Sequence, residues 1–178
     1  MTPFLHEAKG TASTREGEVA LASDPADLPG DAHVIFIGHV RSPWPNRDDC
    51  PKNMNAARER GDDGATVEID AEFRPGLADL ETASHIVLLT WLGFAPRNLI
   101  VQKPRHASHP KGVFSIRSPA RPNPIGLHVA RLVALDRGAG RLTLDAIDVL
   151  DGTPVIDIKP YYASIDSFPD AITERRQK

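Results

Sequence analysis

The chain has few of the features that mark disulfide-rich or membrane proteins. Cys50 is its one cysteine, so an internal disulfide is excluded. No apolar run reaches the roughly 18 residues that a membrane helix needs. The N-terminus lacks a charged stretch followed by an apolar run and a cleavage site, so the sequence predicts no secretory signal and favours a cytoplasmic protein.

The familiar nucleotide and metal signatures are also missing. Gly138 and Gly140 form the one G-x-G, in a predicted hairpin turn with no helix after it, which excludes a dinucleotide-binding loop. The chain has no phosphate-binding loop and no H-E-x-x-H. His106 and His109 have a metal-like spacing but no acidic or second cysteine partner nearby, so we expect no metal site.

What the chain does have is 16 prolines and 13 glycines, spread along its 178 residues, with 40% hydrophobic residues. This composition favours one domain of many short strands. The fold that we predict is mainly β, an antiparallel β-barrel or a sandwich with short helices and long loops, and not a Rossmann fold. Strands are predicted at residues 33–40, 65–73, 84–94, 112–116, 127–136, 141–150 and 153–161.

The remaining segments are predicted to be loops and tails. Residues 1–32 have no sustained apolar period and are expected to form a mobile tail with a short helix around 16–22. Residues 41–64 form a long loop with one helical turn at 56–60, and 77–81 forms a short turn of helix. The domain therefore spans residues 33–170, followed by a C-terminal tail at 171–178.

A stiff loop stands out after the strand predicted at 112–116. Ser118-Pro119, Arg121-Pro122 and Asn123-Pro124 follow each other within seven residues, and each proline restricts its own backbone and that of the residue before it. Arg117 and Arg121 are therefore presented on a frame with little freedom to lose, which suits a binding site. The alternative is a rigid surface turn without a function.

Positive charge is concentrated in one segment. Residues 95–121 carry six basic residues and no acidic ones, whereas the rest of the chain has a formal charge of −9. This segregation predicts a polyanionic partner, and the residues expected to contact nucleic acid are Arg97, Lys103, Arg105 and Arg121. A solvated loop that lacks acidic residues is the alternative.

Two carboxylates near the predicted strand at 141–150 are candidates for a ligand site. Asp145 and Asp148 lie on opposite faces of an alternating strand, so at least one is expected to point inward and to need hydrogen-bond donors. Arg117 or Lys159 can supply them. These carboxylates either form an ion-pair network that closes the barrel end or bind hydroxyl and amino groups of a ligand.

Five stretches resemble the TsaA-like, or TrmO, family over residues 33–170. They are VIFIGHVRSP, ASHIVLLTWL, GVFSIRSPARPNPIGL, AIDVLDGTPVIDIKPY and SIDSFPDA. The resemblance implies a barrel-like, non-Rossmann fold that binds S-adenosylmethionine near a homodimer interface. In the family's characterised bacterial branch, the activity is methylation of the amino nitrogen of threonylcarbamoyladenosine, beside the anticodon of tRNA.

The resemblance also implies which residues contact the cofactor. They are Met54, Asn55, Ala56, Gly93, Phe94, Arg117, Leu127, Asp145, Ala146, Ile147 and Asp148. A carboxylate can assist by taking the proton of the acceptor nitrogen, and Asp148 is the candidate. Two alternatives are a non-catalytic module that binds S-adenosylmethionine or RNA, and a methyltransferase for another substrate.

Overall fold

The computed structural model describes residues 14–61, 64–104 and 107–172, and this part of the chain contains nine strands, two α-helices and three 3₁₀ helices. The strands are β1 (Val19–Ala20), β2 (Gly38–Arg41), β3 (Thr66–Ile69), β4 (His85–Trp91), β5 (Leu99–Gln102), β6 (Lys111–Gly112), β7 (Ile125–Asp136), β8 (Arg141–Leu144) and β9 (Pro154–Pro160). The helices are α1 (Met54–Arg60) and α2 (Ala163–Asp166), with 3₁₀ helices at Ala71–Leu77, Leu80–Thr82 and Val113–Ser115.

Six strands close into an antiparallel barrel in the order β2-β3-β8-β7-β4-β9. The other three form a small antiparallel sheet in the order β1-β5-β6. No parallel strand pairs and no crossover helices occur among the described strands. The prediction of a mainly β, non-Rossmann antiparallel barrel is confirmed.

The longest strand pair, β4 with β7, determines which side chains enter the barrel. Its register runs from His85 opposite Arg131 to Trp91 opposite Ile125. Even-numbered residues of β4 point inward and are buried, and odd-numbered residues point outward. From residue 125 to residue 132, consecutive residues of β7 therefore present one side chain to the outer surface and the next to the core, and a register shift between Leu132 and Ala134 ends this alternation.

The barrel interior is filled by branched apolar side chains. The largest that are fully buried are Ile86, Leu88, Leu142, Ile147, Val40, Val67 and Val155. They come from five barrel strands and from the segment after β8, so they join distant parts of the chain in one core. Truncating such a side chain to alanine typically costs about 2–5 kcal/mol.

Several predicted strands are shorter in the structure. Residues 33–37 precede β2, and Ala71–Leu77 replaces the end of the strand predicted at 65–73. The strand predicted at 141–150 ends at Leu144, because the Asp145 carboxylate accepts the backbone amide of Arg131 at 2.8 Å in place of a strand partner.

The strand predicted at 112–116 is wrong beyond Gly112. Val113–Ser115 is a 3₁₀ helix, and the carbonyl groups of Val113 and Ile116 accept hydrogen bonds from the Arg121 side chain. These carbonyls are therefore used by an arginine and not by a neighbouring strand.

The helices also differ from the prediction. Helix α1 is longer than the predicted turn, because the Asn53 side chain caps its first turn and Gly61 ends it in a left-handed conformation, φ 66°. The short turn of helix predicted at 77–81 coincides with parts of two 3₁₀ helices, Ala71–Leu77 and Leu80–Thr82.

The N-terminal segment contains a strand where a helix was expected. The helix predicted around residues 16–22 is wrong: Val19–Ala20 pairs with β5. Glu18 holds this pairing, since its carboxylate accepts the backbone amide of Lys103 at 3.0 Å and the guanidinium of Arg15 at 2.7 Å. These hydrogen bonds lower the pKa of Glu18 to about 2. The domain boundaries at residues 33 and 170 stay predictions.

Within the described residues, no helix is both long enough and apolar enough to span a bilayer.

Candidate functional site

Strand β7 contacts both the proline loop, residues 117–124, and the acidic segment, residues 145–148. Leu127 points outward and is 48% exposed, whereas His128 points inward and is buried. Arg117 donates from Nη2 to the carbonyl oxygen of Leu127 at 3.1 Å, and Asp148 contacts the ring of His128. The two neighbourhoods that the sequence singles out therefore contact consecutive residues of one strand, whose side chains point to opposite sides of the barrel wall.

A buried polar chain runs from β4 through β7 to Asp148. The Oδ1 of Asp148 lies 2.6 Å from Nδ1 of His128, and Nε2 of His128 lies 2.9 Å from the hydroxyl of Thr90. Thr90 is fully buried and His128 is 5% exposed. Both ring nitrogens of the histidine are thus satisfied away from water.

Arg58 on α1 fixes the other carboxylate. Its Nε donates to Oδ2 of Asp145 at 2.8 Å, and its Nη2 donates to the carbonyl oxygen of Val129 at 2.7 Å. Burial opposes ionisation of Asp145, but hydrogen bonds from Arg58 and from the Arg131 amide outweigh it and lower the pKa of this carboxyl. Helix α1, β7 and the acidic segment are therefore linked through one guanidinium.

The predicted residues 54–56 form the first turn of α1. Met54 packs against the barrel core, and Asn55 accepts a hydrogen bond from Arg58 at 3.3 Å. The backbone amide of Ala56 donates to the capping side chain of Asn53 at 2.9 Å. This turn is held close to Asp145 because Arg58 follows it on the same helix.

Ala146 and Ile147 have buried side chains, 3% and 1% exposed. The carbonyl oxygen of Ile147 accepts a hydrogen bond from the indole of Trp44 at 2.9 Å, and Arg60 stacks over that indole at 5.0 Å. A ligand can therefore meet Ala146 and Ile147 through their backbone only.

The donors expected for the two aspartates are wrong. Lys159 pairs with Asp157 at 2.7 Å, and Arg117 donates to a backbone carbonyl. The donors found are Arg58 for Asp145 and His128 for Asp148. The segment after β8 leaves the sheet, so strict alternation did not apply to these positions.

Gly93 and Phe94 lie beside the proline loop. They follow Leu92, whose amide donates to the carbonyl oxygen of Pro124 at 2.8 Å. Phe94 is 61% exposed, so its ring is available to a ligand or another chain.

Arg121 braces the proline loop from within. Its guanidinium is half-buried and donates to three carbonyl groups, those of Ser118, Val113 and Ile116. Hydrogen bonds from Arg121 thus add to the rigidity that the prolines predict. Most donors of its guanidinium are already bonded to the loop and to the segment before it.

The other residues predicted to contact nucleic acid differ in how they are held by the chain. Arg97 donates to the carbonyl oxygen of Pro122 at 2.7 Å and lies 5.5 Å from the ring centre of Trp91. Lys103 is half-buried next to the N-terminal strand. Arg105 lies outside the described residues.

A groove of about 520 Å³ opens on the outer face of the barrel. Outward residues of β4 and β7 and the end of β9 line it, including Val87, Leu127, Val129, Lys159, Tyr161 and Tyr162. This volume lies in the range of small-molecule sites. Leu127 is the one predicted cofactor residue in this lining, among the residues that the structure describes.

The acidic segment is close to Cys50. Burial, followed by the negative charge of Asp148, raises the pKa of the Cys50 thiol to about 11. The described ranges contain no group of three or more histidine, cysteine, aspartate or glutamate side chains placed to hold a metal ion.

Sequence reasoning missed Thr90, His128 and Arg58. The apolar residues at 127, 129 and 133 form the outer face of β7. Their alternation predicted a strand but no role for the inward His128. A histidine between Gly126 and Ala130 on the buried face of the strand was the available signal. Arg58 carried no signal, because its partners are 71 and 87 residues away.

Residues 39–167 match the family described as the tRNA-methyltransferase O N-terminal domain. The chain belongs to the TrmO family. It is 43% identical over 135 residues to a probable S-adenosyl-L-methionine-binding protein of Archaeoglobus fulgidus, covering 76% of this chain and 35% of that relative. A Methanothermobacter thermautotrophicus protein of the same description is 42% identical over 131 residues, covering 74% of this chain and 90% of the relative.

Bacterial relatives agree with this assignment. The putative S-adenosylmethionine-dependent methyltransferase RcsF of Pseudomonas aeruginosa is 38% identical over 149 residues, covering 78% of this chain and 60% of RcsF. The crystal structure of TrmO from the same organism is 35% identical with a TM-score of 0.64, covering 83% of this chain and 64% of that one. The chain thus spans about a third of the first archaeal relative and under two thirds of TrmO.

Proposed function

We propose that this TrmO-family chain binds S-adenosylmethionine and methylates the amino nitrogen of threonylcarbamoyladenosine beside the anticodon of tRNA. The observation that carries this proposal is the convergence on β7: Arg117 on Leu127, Arg58 on Val129 and Asp148 on His128. The names of the relatives support S-adenosylmethionine as the cofactor, and the basic segment at residues 95–121 supports a polyanionic partner.

The residues present fit the cofactor. S-adenosylmethionine has an apolar ring, ribose hydroxyls, an ammonium and a carboxylate. The convergence offers an exposed Leu127 for the ring and carboxylates at Asp145 and Asp148 for hydroxyl or ammonium groups. Arg117 is exposed and uses one guanidinium nitrogen on the chain, so it has donors left for a carboxylate.

In the proposed reaction, the cofactor supplies an electrophilic methyl group bonded to a sulfonium. The chain contributes mainly by position, because a transfer of this kind needs aligned reactants. The braced proline loop holds Arg117 still, and the Arg58 network holds Asp145 charged. Asp148 is the group that takes the proton from the acceptor nitrogen.

The dimer expected from the resemblance belongs to the same proposal. Ile125, Leu127 and Val133 lie on the outer face of β7 and are between 44% and 53% exposed. A second copy that covers this face completes the cofactor site near the interface. The cytoplasmic location expected from the sequence also stays part of the proposal.

Isothermal calorimetry with S-adenosylmethionine tests the cofactor, and methylation of tRNA from a strain that lacks the modification tests the acceptor. We expect saturable binding and transfer of one methyl group per modified nucleotide. Failure to bind S-adenosylmethionine contradicts the whole proposal, whereas binding without transfer to this tRNA contradicts the acceptor alone.

The tRNA contact is tested by changing Lys103 and Arg105 to alanine together. Each lost phosphate contact is expected to reduce the slope of log affinity against log salt by about 1, with unchanged affinity for S-adenosylmethionine. Arg141→Ala is the matched control, since Arg141 is an exposed cation outside the basic segment. Arg97 and Arg121 are poor test positions because both hold the proline loop.

A non-catalytic module that binds S-adenosylmethionine is the second candidate. The relative of which this chain covers 90% is named as a binding protein, with no reaction in its name. Turnover distinguishes the two candidates. A binding module binds S-adenosylmethionine but does not consume it, whichever tRNA is added.

A further inference from the structure

We propose that His128 is a positioning residue for methyl transfer, acting through Asp148. This inference rests on the proposed function, and it assigns a task to the buried chain of Thr90, His128 and Asp148. The histidine holds the carboxylate in one orientation, and the threonine holds the histidine. The sequence motifs implied a role for Asp148 but none for His128 or Thr90.

The geometry leaves the histidine no other partner. Its Nδ1 lies 2.6 Å from Oδ1 of Asp148, its Nε2 lies 2.9 Å from Oγ1 of Thr90, and the residue as a whole is 5% exposed. A ring with both nitrogens satisfied inside the barrel cannot itself reach a substrate. Its effect on chemistry must pass through the carboxylate that it holds.

Gly126 makes this arrangement possible. A Cβ at this position, two residues before His128 on the same inward face, would overlap Oγ1 of Thr90 and lie 2.6 Å from Nε2 of the histidine. The glycine of the P-N-P-I-G segment therefore leaves the space that the threonine–histidine hydrogen bond occupies. A side chain there would push the ring away from Thr90 or from Asp148.

The carboxylate is held at one oxygen and available at the other. Oδ1 of Asp148 faces His128, and no residue in the described part of the chain hydrogen-bonds Oδ2. The side chain is 16% exposed, so it retains an opening to its surroundings. Other titratable or charged groups at this edge are Cys50, Arg47 and Arg60.

The inference assigns one protonation pattern to the three residues. Neutral His128 carries its proton on Nδ1 and donates it to the ionised carboxylate, while its bare Nε2 accepts from the hydroxyl of Thr90. Transfer would form a bond from the acceptor nitrogen to the methyl carbon and break the bond from that carbon to the sulfonium sulfur, with the electron pair left on sulfur. The acceptor nitrogen would then hold one surplus proton. That proton passes to Oδ2 of Asp148, which becomes a neutral carboxylic acid and later returns the proton to water.

Two isosteric substitutions separate the two hydrogen bonds of the ring. In His128→Asn the side-chain amide takes the place of Nδ1, so it can still donate to Asp148. In His128→Gln the amide reaches the place of Nε2, so it can bond Thr90 but leaves Asp148 unheld. We expect His128→Gln to lower kcat by about 10–100-fold, as misplacement by ~1 Å does, and His128→Asn to stay within about threefold of wild type.

A double-mutant cycle with Asp148→Asn tests whether the histidine acts through the aspartate. Asp148→Asn alone is expected to lower kcat by about 10²–10⁴-fold. Adding His128→Gln to it is expected to lower kcat no further, because the held group is already lost. Affinity for S-adenosylmethionine should change by less than about threefold in the His128 variants, and His39→Leu is the control that leaves turnover unchanged.

A second measurement does not depend on activity. Nitrogen-15 NMR of the histidine side chains should show His128 protonated at Nδ1 and bare at Nε2, with the signal assigned by its absence from His128→Asn. Asp148→Asn should shift the Nδ1–H signal, and Thr90→Val should shift Nε2. A wild-type ring protonated at Nε2 would overturn the inference even if the enzyme is active.

The outcomes separate this inference from the proposed function. Equal losses in the asparagine and glutamine variants, or additive losses in the cycle, overturn the role of His128 while leaving methyl transfer intact. Absence of S-adenosylmethionine binding in the wild type overturns the proposed function, and with it the positioning role of His128 in methyl transfer. The NMR pattern then shows only that the hydrogen-bonded chain exists.

Discussion

The barrel contains two histidine–carboxylate pairs of similar geometry and different surroundings. His128 and Asp148 are 2.6 Å apart, with side chains 6% and 16% exposed. His39 and Glu68 are 2.9 Å apart, with side chains 32% and 35% exposed. The same two kinds of group thus form one pair inside the barrel and another on its surface.

The two pairs arise in different ways. His39 and Glu68 are directly opposite each other in the β2–β3 register, so ordinary strand pairing brings them together. His128 and Asp148 meet because Asp148 lies in an irregular segment that folds back after β8. Nothing in strand pairing alone requires the second contact.

The surface carboxylate also has a stronger partner than its histidine. Nε of Arg41 donates to Oε2 of Glu68 at 3.1 Å. Asp148 has His128 as its one hydrogen-bond partner within the described ranges. Loss of the histidine therefore leaves Glu68 paired and Asp148 alone, in surroundings where charges are poorly screened. Burial and the number of partners therefore decide how much such a pair contributes to stability.

The largest effect is expected from His128→Leu. This change leaves a partly buried carboxylate without its partner, and breaking a buried pair costs about 3–5 kcal/mol. Urea unfolding at pH 7 measures it. A loss in free energy of unfolding below about 1 kcal/mol would show that the buried pair is no more valuable than the surface pair.

Gly126→Ala should have the next largest effect. The added methyl group overlaps Thr90 and crowds His128, and overpacking of this kind costs about 1–3 kcal/mol. Gly112→Ala is the matched control, because a Cβ there meets nothing within 4 Å and the backbone φ is −61°. Thermal unfolding should separate the two variants, and equal melting temperatures would contradict the packing argument.

Titration of Glu68 separates the effects of its two partners, Arg41 and His39. Burial opposes ionisation of this carboxyl, but Arg41 and, to a smaller extent, His39 lower its pKa. Its contribution to stability is therefore complete above the ordinary glutamate pKa and is lost as the pH falls through the lowered value. Carbon-13 NMR should show that Arg41→Ala raises the pKa of Glu68 more than His39→Leu does. The reverse order would make histidine the main partner.

His39→Leu should have the smallest effect on stability. Exposed ion pairs contribute about 0–1 kcal/mol, and Arg41 remains beside Glu68. Urea unfolding at pH 7, run beside His128→Leu, gives the direct contrast. A cost that matches the buried variant would remove the distinction between the two pairs.

Much of the fold was predictable from local patterns. β4 and β7 carry runs of apolar and β-branched residues, and the turns between strands are marked by glycine and proline, so an antiparallel β architecture followed from the sequence. The motif strings also placed the chain in its family. Strand ends were harder to predict, because Asp145 and Arg121 compete for backbone groups only after the fold has brought them there.

The sequence by itself determined the antiparallel β architecture, the stiff proline loop and the segregation of positive charge. These properties depend on residue types that act on their own backbone or on near neighbours. Only the tertiary structure decided that Asp148 meets His128 and that Arg58 meets Asp145. Those contacts depend on which face of β7 each residue occupies and on the path of an irregular segment, and neither is set by local propensity.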